Sequence, residues 1–347
     1  MVEGVVKCSL KPMKIAIFDI GTNSIHMKIV QLYPDLSFEV LDHKKDMTRI
    51  GDGSFKSRKL SRQAIKRALK TIERFSKISK LERVRRTVAV ATSAVRDAKN
   101  GPEFVKAVYK KTGIRVRVIS GREEGRLIFL GASSGVARPK EKRMVIDIGG
   151  GSAEFVLGDR RRIDMDESLP LGVARLKDRF LKKNPPSKDN LRNLEESIEE
   201  KIADVLKMAN GKKFSLAGTG GTLINLASMV YEIRESRALR LRGYFELRKK
   251  ELAKLHRKLV HMSIKRIRKI PGLDKKRADL IIAGSVLVMM LLKQFKKDRI
   301  FISDKGIREG LILDLIVKKY LKYKHVKPSL RVQWFGQKPF FSGKIIR

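Results

Sequence analysis

Two stretches of the sequence join a carboxylate to a glycine turn. The first is Phe18-Asp19-Ile20-Gly21-Thr22-Asn23-Ser24 and the second is Val145-Ile146-Asp147-Ile148-Gly149-Gly150-Gly151-Ser152-Ala153-Glu154-Phe155. In each, an apolar run reads as a buried strand, and the acid and glycines that follow make a tight turn whose backbone is bare enough for close approach. Uncovered N–H groups at such a turn converge on an anion, so phosphate is the expected visitor. Asp147 is placed to hold a cation beside it, and Glu154 points inward from the next strand, residues 155–157. Because the pattern occurs twice, it predicts two related half-molecules that face a shared cleft, each with one phosphate-cradling loop.

Three further groups suit the same chemistry. Thr92-Ser93-Ala94-Val95-Arg96-Asp97 follows a short buried strand at 87–91, and hydroxyls with an arginine where strand gives way to helix favour an oxyanion. Ser120-Gly121-Arg122-Glu123-Glu124-Gly125-Arg126 follows a strand in which Ile114, Val116 and Val118 alternate with arginines. Successive helical residues point about 100° apart, so only one of Glu123 and Glu124 faces a cleft. On residue types alone, both acids equally fit the positive end of a helix. The third group is Gly218-Thr219-Gly220-Gly221-Thr222, after a strand at 214–217, where glycines let the N-terminus of a helix starting near Leu223 approach a ligand.

The elements that position these groups are legible in outline. Ser61 caps a helix whose buried stripe is Ile65, Ala68, Leu69, Ile72, Phe75 and Ile78. Residues 102–112 form a helix with Pro102 in its first turn and Gly113 beyond its end. Arg49 sits in a glycine-punctuated loop at 48–53 close to the first turn, and a helix at 188–208 follows the break at Asn184-Pro185-Pro186-Ser187. Residues 247–270 read as a basic pair of helices, and 277–295 as an apolar packing helix rather than part of a site. A strand at 300–303, a turn at 304–306 and a helix at 307–323 complete the folded part.

At 347 residues the chain has room for two domains. No apolar stretch reaches the ~20 residues that span a bilayer, and the first twelve residues lack the apolar core of a secretory signal. The single cysteine, Cys8, excludes an intrachain disulfide and a cysteine zinc site, so a cytoplasmic location is expected. Lys and Arg number 79 against 37 Asp and Glu, a net +42, which attracts polyanions and equally suits a highly charged thermophile surface. The tail at 318–347 interleaves Lys and Arg with Tyr320, Tyr323, Trp334, Phe335, Phe340 and Phe341, to grip a polyanion or to clip the tail to the body.

Taken in order and at these separations, the motifs resemble the exopolyphosphatase and guanosine-pentaphosphate phosphohydrolase family, over residues 13–316. Ser168-Leu169-Pro170-Leu171-Gly172-Val173-Ala174-Arg175-Leu176 and Ile302-Ser303-Asp304-Lys305-Gly306-Ile307-Arg308-Glu309-Gly310 add to the resemblance. It implies an α/β fold of two actin-like, ribonuclease-H-like domains around a central cleft. The divisions expected are an N-terminal extension at 1–12, domain I at 13–132, domain II at 133–317 and the tail at 318–347. The resemblance makes Glu124 the catalytic residue. It places Asp19, Asp147 and Glu154 at a Mg²⁺ or other hard divalent cation. Phosphate contacts fall to Gly21, Thr22, Asn23, Ser24, His26, Ser93, Arg96, Gly149, Gly150, Gly151, Ser152, Gly218, Thr219, Gly220 and Gly221. His26 stands where many family members carry arginine. The larger relatives' helical domains do not follow here. The activity implied is release of the terminal phosphate of inorganic polyphosphate, with guanosine pentaphosphate as the alternative substrate. An actin-like kinase or ATPase and a non-catalytic polyanion binder are the readings from other classes. No nucleic-acid or membrane partner is expected, and a homodimer is left open.

Overall fold

The computed structural model describes residues 11–33, 37–134, 141–159, 161–239 and 244–320. Cys8, most of the N-terminal extension, the turn at 139–140 and the aromatic tail beyond Tyr320 lie outside them.

Strands β1 (Met13–Ile20) and β2 (Ile25–Leu32) form a hairpin around Gly21, and β3 (Phe38–Asp46) adds antiparallel to β2. After α1 (Ser54–Ser57) and α2 (Arg62–Leu81), β4 (Arg86–Ala91) returns parallel to β1. α3 (Ser93–Asp97) and α4 (Gly101–Thr112) lead to β5 (Val116–Val118), and the first sheet runs β3-β2-β1-β4-β5. The expected caps are in place: Ser61 Oγ accepts from Ala64 N–H at 3.2 Å, and Gly113 closes α4 with φ 73°. That left-handed conformation is one glycine adopts without steric cost.

α5 (Gly121–Ser133) carries the chain to a second sheet. There β6 (Arg143–Ile148), β7 (Ala153–Gly158) and β8 (Ile163–Leu169) repeat the antiparallel meander of the first. α6 (Val173–Phe180) and α7 (Lys188–Ala209) precede β9 (Ser215–Thr219), which is parallel to β6 as β4 is to β1. α8 (Gly221–Glu235), β10 (Tyr244–Arg248), α9 (Lys249–Leu259), α10 (Ile264–Ile267), α11 (Ile281–Gln294) and β11 (Arg299–Ser303) complete the sheet, ordered β10-β11-β9-β6-β7-β8. The chain then enters α12 (Ile307–Tyr320).

Two expectations are corrected here. Leu247 does not start a helix. It lies in the edge strand β10, where it pairs with Ile300 on β11, so a partner more than 50 residues away decides its conformation. Arg277 is not part of the apolar helix: it ends a short 3-10 turn, Lys275–Arg277, and α11 begins at Ile281.

α5 and α12 lie between the two sheets. A single buried cluster joins Ile15, Ile17 and Val90 of the first sheet to Val145, Val156 and Ala217 of the second, through Leu127 and Ile128 of α5 and Leu311 and Ile316 of α12. The helices cross closely because glycine stands at the contact: a Cβ on Gly131 would run into the Gly306 carbonyl, and one on Gly310 into that of Leu127. Two helices thus hold the sheets back to back, while the carboxyl ends of β1, β4, β6 and β9 face one crevice, the usual location for a ligand in an open α/β sheet.

Candidate active site

The crevice is a cavity of about 370 Å³ whose walls come from both halves of the chain. The two glycine hairpins occupy equivalent places. Asp19 stands opposite His26 in β1–β2, and Asp147 stands opposite Glu154 in β6–β7. Gly21 N–H bonds Ser24 O at 3.1 Å, and Gly149 N–H bonds Ser152 O at 3.1 Å, which gives both turns the same closure.

The carbonyl side of the second loop is occupied from behind. Val173 N–H donates to Gly149 O at 3.0 Å and Ala174 N–H to Gly150 O at 2.9 Å, while Arg175 Nε donates to Gly151 O at 2.8 Å. Among the described residues, the Gly150 and Gly151 N–H groups are left without a partner, as an anion-binding nest requires. The glycines also admit the other half of the molecule. A Cβ on Gly150 would strike the Asn23 amide, and one on Gly151 would strike Ser93 Oγ, so the loops are in contact across the cleft.

Glu124 rather than Glu123 faces the cavity. Ser120 Oγ caps α5 by accepting from Glu123 N–H at 3.1 Å, and the rotation this sets turns Glu123 outward to Arg117 and Glu124 inward, where it is 7 % exposed. Glu124 Oε2 accepts from Arg96 Nη1 at 2.8 Å, and Arg96 is itself held by the Ile119 carbonyl at 3.1 Å. Burial pushes the Glu124 carboxyl up to about 7 against the pull of Arg96, with the charges of Asp147 and Asp19 adding to the rise. Burial also raises Asp147 to about 6, helped by the Asp19 charge. Asp19 rises for the same first reason, opposed by Arg308, which donates to it at 3.2 Å. Burial raises Glu154 as well, so these shifts mark four neighbouring carboxylates whose desolvation outweighs the pull of Arg96 and Arg308.

A family model, the Ppx/GppA phosphatase family, matches residues 29–319. The chain belongs to this family. Among curated relatives it is 32% identical over 320 residues to a bifunctional 3-dehydroquinate synthase/phosphatase of Fusobacterium nucleatum, covering 88% of this chain and 47% of that one. The chain therefore spans about half the length of that relative. It is 28% identical over 309 residues to exopolyphosphatase 1 of Mycobacterium leprae, covering 87% of this chain and 89% of that one. An exopolyphosphatase crystal structure from Cytophaga hutchinsonii superposes with TM-score 0.83 at 28% identity, over 88% of this chain and 98% of that one. The Aquifex aeolicus member of the Ppx/GppA family superposes with TM-score 0.73 at 28% identity, over 91% and 100%. The fold is that of the Ppx/GppA structures, two actin-like α/β domains facing a cleft.

In this Ppx/GppA chain most of the expected residues meet in the crevice: Asp19, Gly21, Thr22, Asn23, Ser24, His26, Ser93, Glu124, Asp147, Gly149, Gly150, Gly151, Ser152, Thr219, Gly220 and Gly221 all line it. Three do not. Gly218 packs under Leu223 and Ile300, where a side chain would collide with the core. Arg96 stands behind Glu124 and reaches the cavity only through it. Glu154 is 1 % exposed, and its carboxylate is occupied by Ser168 Oγ at 2.9 Å. His26 lines the wall as a neutral ring, since burial and the Arg308 charge hold it well below the ordinary histidine range. It contacts Ser24 Oγ at 2.9 Å and the His43 ring at 3.2 Å.

The donor set bears on the cation as well. Among the described residues no three His, Cys, Asp or Glu side chains are grouped closely enough to hold a metal by themselves. The set Asp19, Asp147 and Glu154 is therefore not a closed cage. Asp147 Oδ1, however, is buried with no hydrogen-bond partner among the described residues and senses the Asp19 charge. That fits a hard divalent ion held by one or two carboxylates, with water and phosphate oxygens completing the shell, the usual habit of Mg²⁺.

Two arginines of the cavity are not among the expected site residues. Arg308, at the start of α12 and within the segment from Ile302 to Gly310, pairs with Asp19. Arg277 is 6 % exposed, lines the cavity, and among the described residues has no partner for its Nε. Gly221 is what makes room for it, because a Cβ there would run into the guanidinium.

Proposed function

We propose that this chain is an exopolyphosphatase, which hydrolyses the terminal phosphoanhydride of inorganic polyphosphate and releases orthophosphate. The observation that carries the reading is a buried glutamate, raised to about 7 and aligned by an arginine, facing two glycine phosphate loops across one cavity. Phosphoanhydrides hydrolyse slowly because their oxygens repel the nucleophile, so catalysis rests on neutralising charge and positioning water. In this reading the Gly150 and Gly151 N–H groups, Arg277 and Arg308 receive the phosphate oxygens. Glu124, oriented by Arg96, takes a proton from water as its oxygen attacks the terminal phosphorus. The bridging P–O bond breaks, and the shortened chain departs with the bridging oxygen. Asp147 and Asp19 would hold Mg²⁺ or another hard divalent cation, which would supply further neutralisation of the phosphate charge. The lobe boundaries at residues 132 and 317 and a cytoplasmic site of action belong to the same proposal. Among the described residues no helix is long and apolar enough to cross a membrane.

The test is phosphate release from polyphosphate with Mg²⁺, parent against Glu124→Gln. Loss of a general base costs about 10²–10⁴-fold in turnover, with substrate binding retained. Near-normal turnover in the variant would remove Glu124 from the mechanism. Guanosine pentaphosphate, whose anhydride needs the same groups, is assayed alongside. A higher kcat/KM on the nucleotide, with no steeper salt dependence on the polymer, would reassign the substrate.

A further inference from the structure

A second cavity, of about 410 Å³, opens between the lobes and is lined by Arg58, Arg96 and Arg175, with Asp97 and Phe55. It does not share a wall with the catalytic crevice by accident of size. Arg96 lines this cavity and Glu124 lines the other, so their hydrogen bond is the partition between the two.

Two of the three guanidinium groups that line the cavity meet one carboxylate. Asp97 Oδ2 accepts from Arg175 at 2.6 Å and from Ser93 Oγ at 3.3 Å, and Asp97 Oδ1 is 3.7 Å from Arg96 Nε. Arg58 has no carboxylate partner among the described residues. The side chain of Arg175 and the backbone of Arg58 are also held in place. Arg175 lies over the Phe55 ring at 4.4 Å and bonds the Gly151 carbonyl. Arg58 is fixed at its backbone, where its N–H bonds Ser54 O at 2.8 Å and its carbonyl accepts from Lys99 N–H at 2.8 Å. Converging like charges favour a bound counterion, and arginine's planar fork suits the oxygens of a tetrahedral oxyanion.

We propose that this cavity is a second phosphoryl-oxyanion site, and that its ligand is free orthophosphate held between Arg58, Arg96 and Arg175. The choice of orthophosphate rests on the exopolyphosphatase reading, whereas the site itself does not. Two of its arginines act on the catalytic crevice: Arg96 orients Glu124, and Arg175 holds the second glycine loop. Phosphate bound here competes with Glu124 for Arg96. Product therefore slows turnover without occupying the crevice.

The experiment counts orthophosphate bound per chain by calorimetry in the parent, Arg58→Asn and Arg58→Glu. Asparagine tolerates the left-handed backbone at this position, where φ is 52°, so it guards against a folding artefact. Two sites are expected in the parent. The variants keep one and lose at least tenfold in affinity at the other, with Arg58→Glu the more affected. Because binding is read without turnover, an absence of polyphosphatase activity would refute the catalytic reading and leave this test standing. Where turnover is measured, added phosphate inhibits the parent with a non-competitive component that Arg58→Glu lacks, at an unchanged rate without added phosphate. Identical stoichiometry and affinity in parent and variants would overturn the site. In a parallel titration, tripolyphosphate binding once per chain and weakening tenfold in Arg58→Glu would keep the site but refute orthophosphate as its ligand in favour of the polymer.

Discussion

Arg96 Nη1 lies 2.8 Å from Glu124 Oε2, and this hydrogen bond opposes the effect of burial on the proposed base. Burial raises the Glu124 carboxyl to about 7, so the ionised base is the minor form below that pH. For the free enzyme, kcat/KM is expected to rise with pH through a midpoint near 7 and to fall about tenfold per unit below it. Arg96→Ala removes the opposing charge and moves the midpoint upward. A pH–rate profile that is flat from 5 to 8 in both proteins would separate Glu124 from proton transfer.

The same carboxylates make the ligand-free protein less stable as pH rises. Glu124 and Asp147 have folded values raised to about 7 and about 6, above their ordinary 4.5 and 3.8. A raised group contributes stability that is complete below its ordinary value and is lost as pH rises through its folded value. Asp147→Asn removes the share of that dependence that Asp147 contributes. The variant is expected to match the parent near pH 4 and to be more stable at pH 8, by on the order of 2 kcal/mol without metal. Thermal melts of both proteins across this range check it, and equal differences at pH 4 and pH 8 would refute it.

How far the sequence reveals this site depends on whether local or distant residues decide each feature. The two hairpins, the Ser61 cap and the Gly113 helix end are local, and the motif alone places them. Glu123 and Glu124 are indistinguishable by type, and only the rotation of α5 against the sheets separates them. The strand at Leu247 depends on β11, which lies beyond an intervening set of helices. Arg277 escaped because it abuts an apolar run, where helical periodicity predicts packing; its exposure to the cleft is set by Gly221, more than 50 residues earlier. Gly150 and Gly151 were legible as bare backbone, but that Asn23 and Ser93 also fill the space is a property of how the halves meet.

That inter-lobe contact gives a steric prediction. In Gly151→Ala the new methyl group collides with Ser93 Oγ and crowds Thr22 Oγ1 at 2.9 Å, which separates the loops. The expected result is a loss in kcat/KM of tenfold or more with the fold retained. Ser93→Gly restores the space, so the double variant should recover part of the loss, as coupled neighbours do. Simple additivity of the two substitutions would show that the loops do not depend on this contact.

Arg49 grips Asp279 with two hydrogen bonds of 2.7 Å and links the first lobe to the segment before α11. The pair is partly buried, so salt screens it less than an exposed bridge. Asp279→Ala is expected to raise KM for polyphosphate severalfold with a smaller effect on kcat. A double-mutant cycle with Arg49→Ala should give a coupling of about 1 kcal/mol. Zero coupling would mean that the pair does not hold the lobes.

Arg277 separates stability from binding. A buried guanidinium with an unpaired Nε costs desolvation energy in the empty protein, and burial lowers its pKa for the same reason. Arg277→Met keeps the length and removes the charge, so the ligand-free melting temperature is expected to rise. Affinity for tripolyphosphate is expected to fall by about ten- to a hundredfold, the worth of one charge-assisted hydrogen bond. An ordinary packing residue would show the reverse, with lower stability and unchanged affinity. Opposite signs in the melt and the titration therefore identify Arg277 as a group held for the ligand, at a cost to the fold.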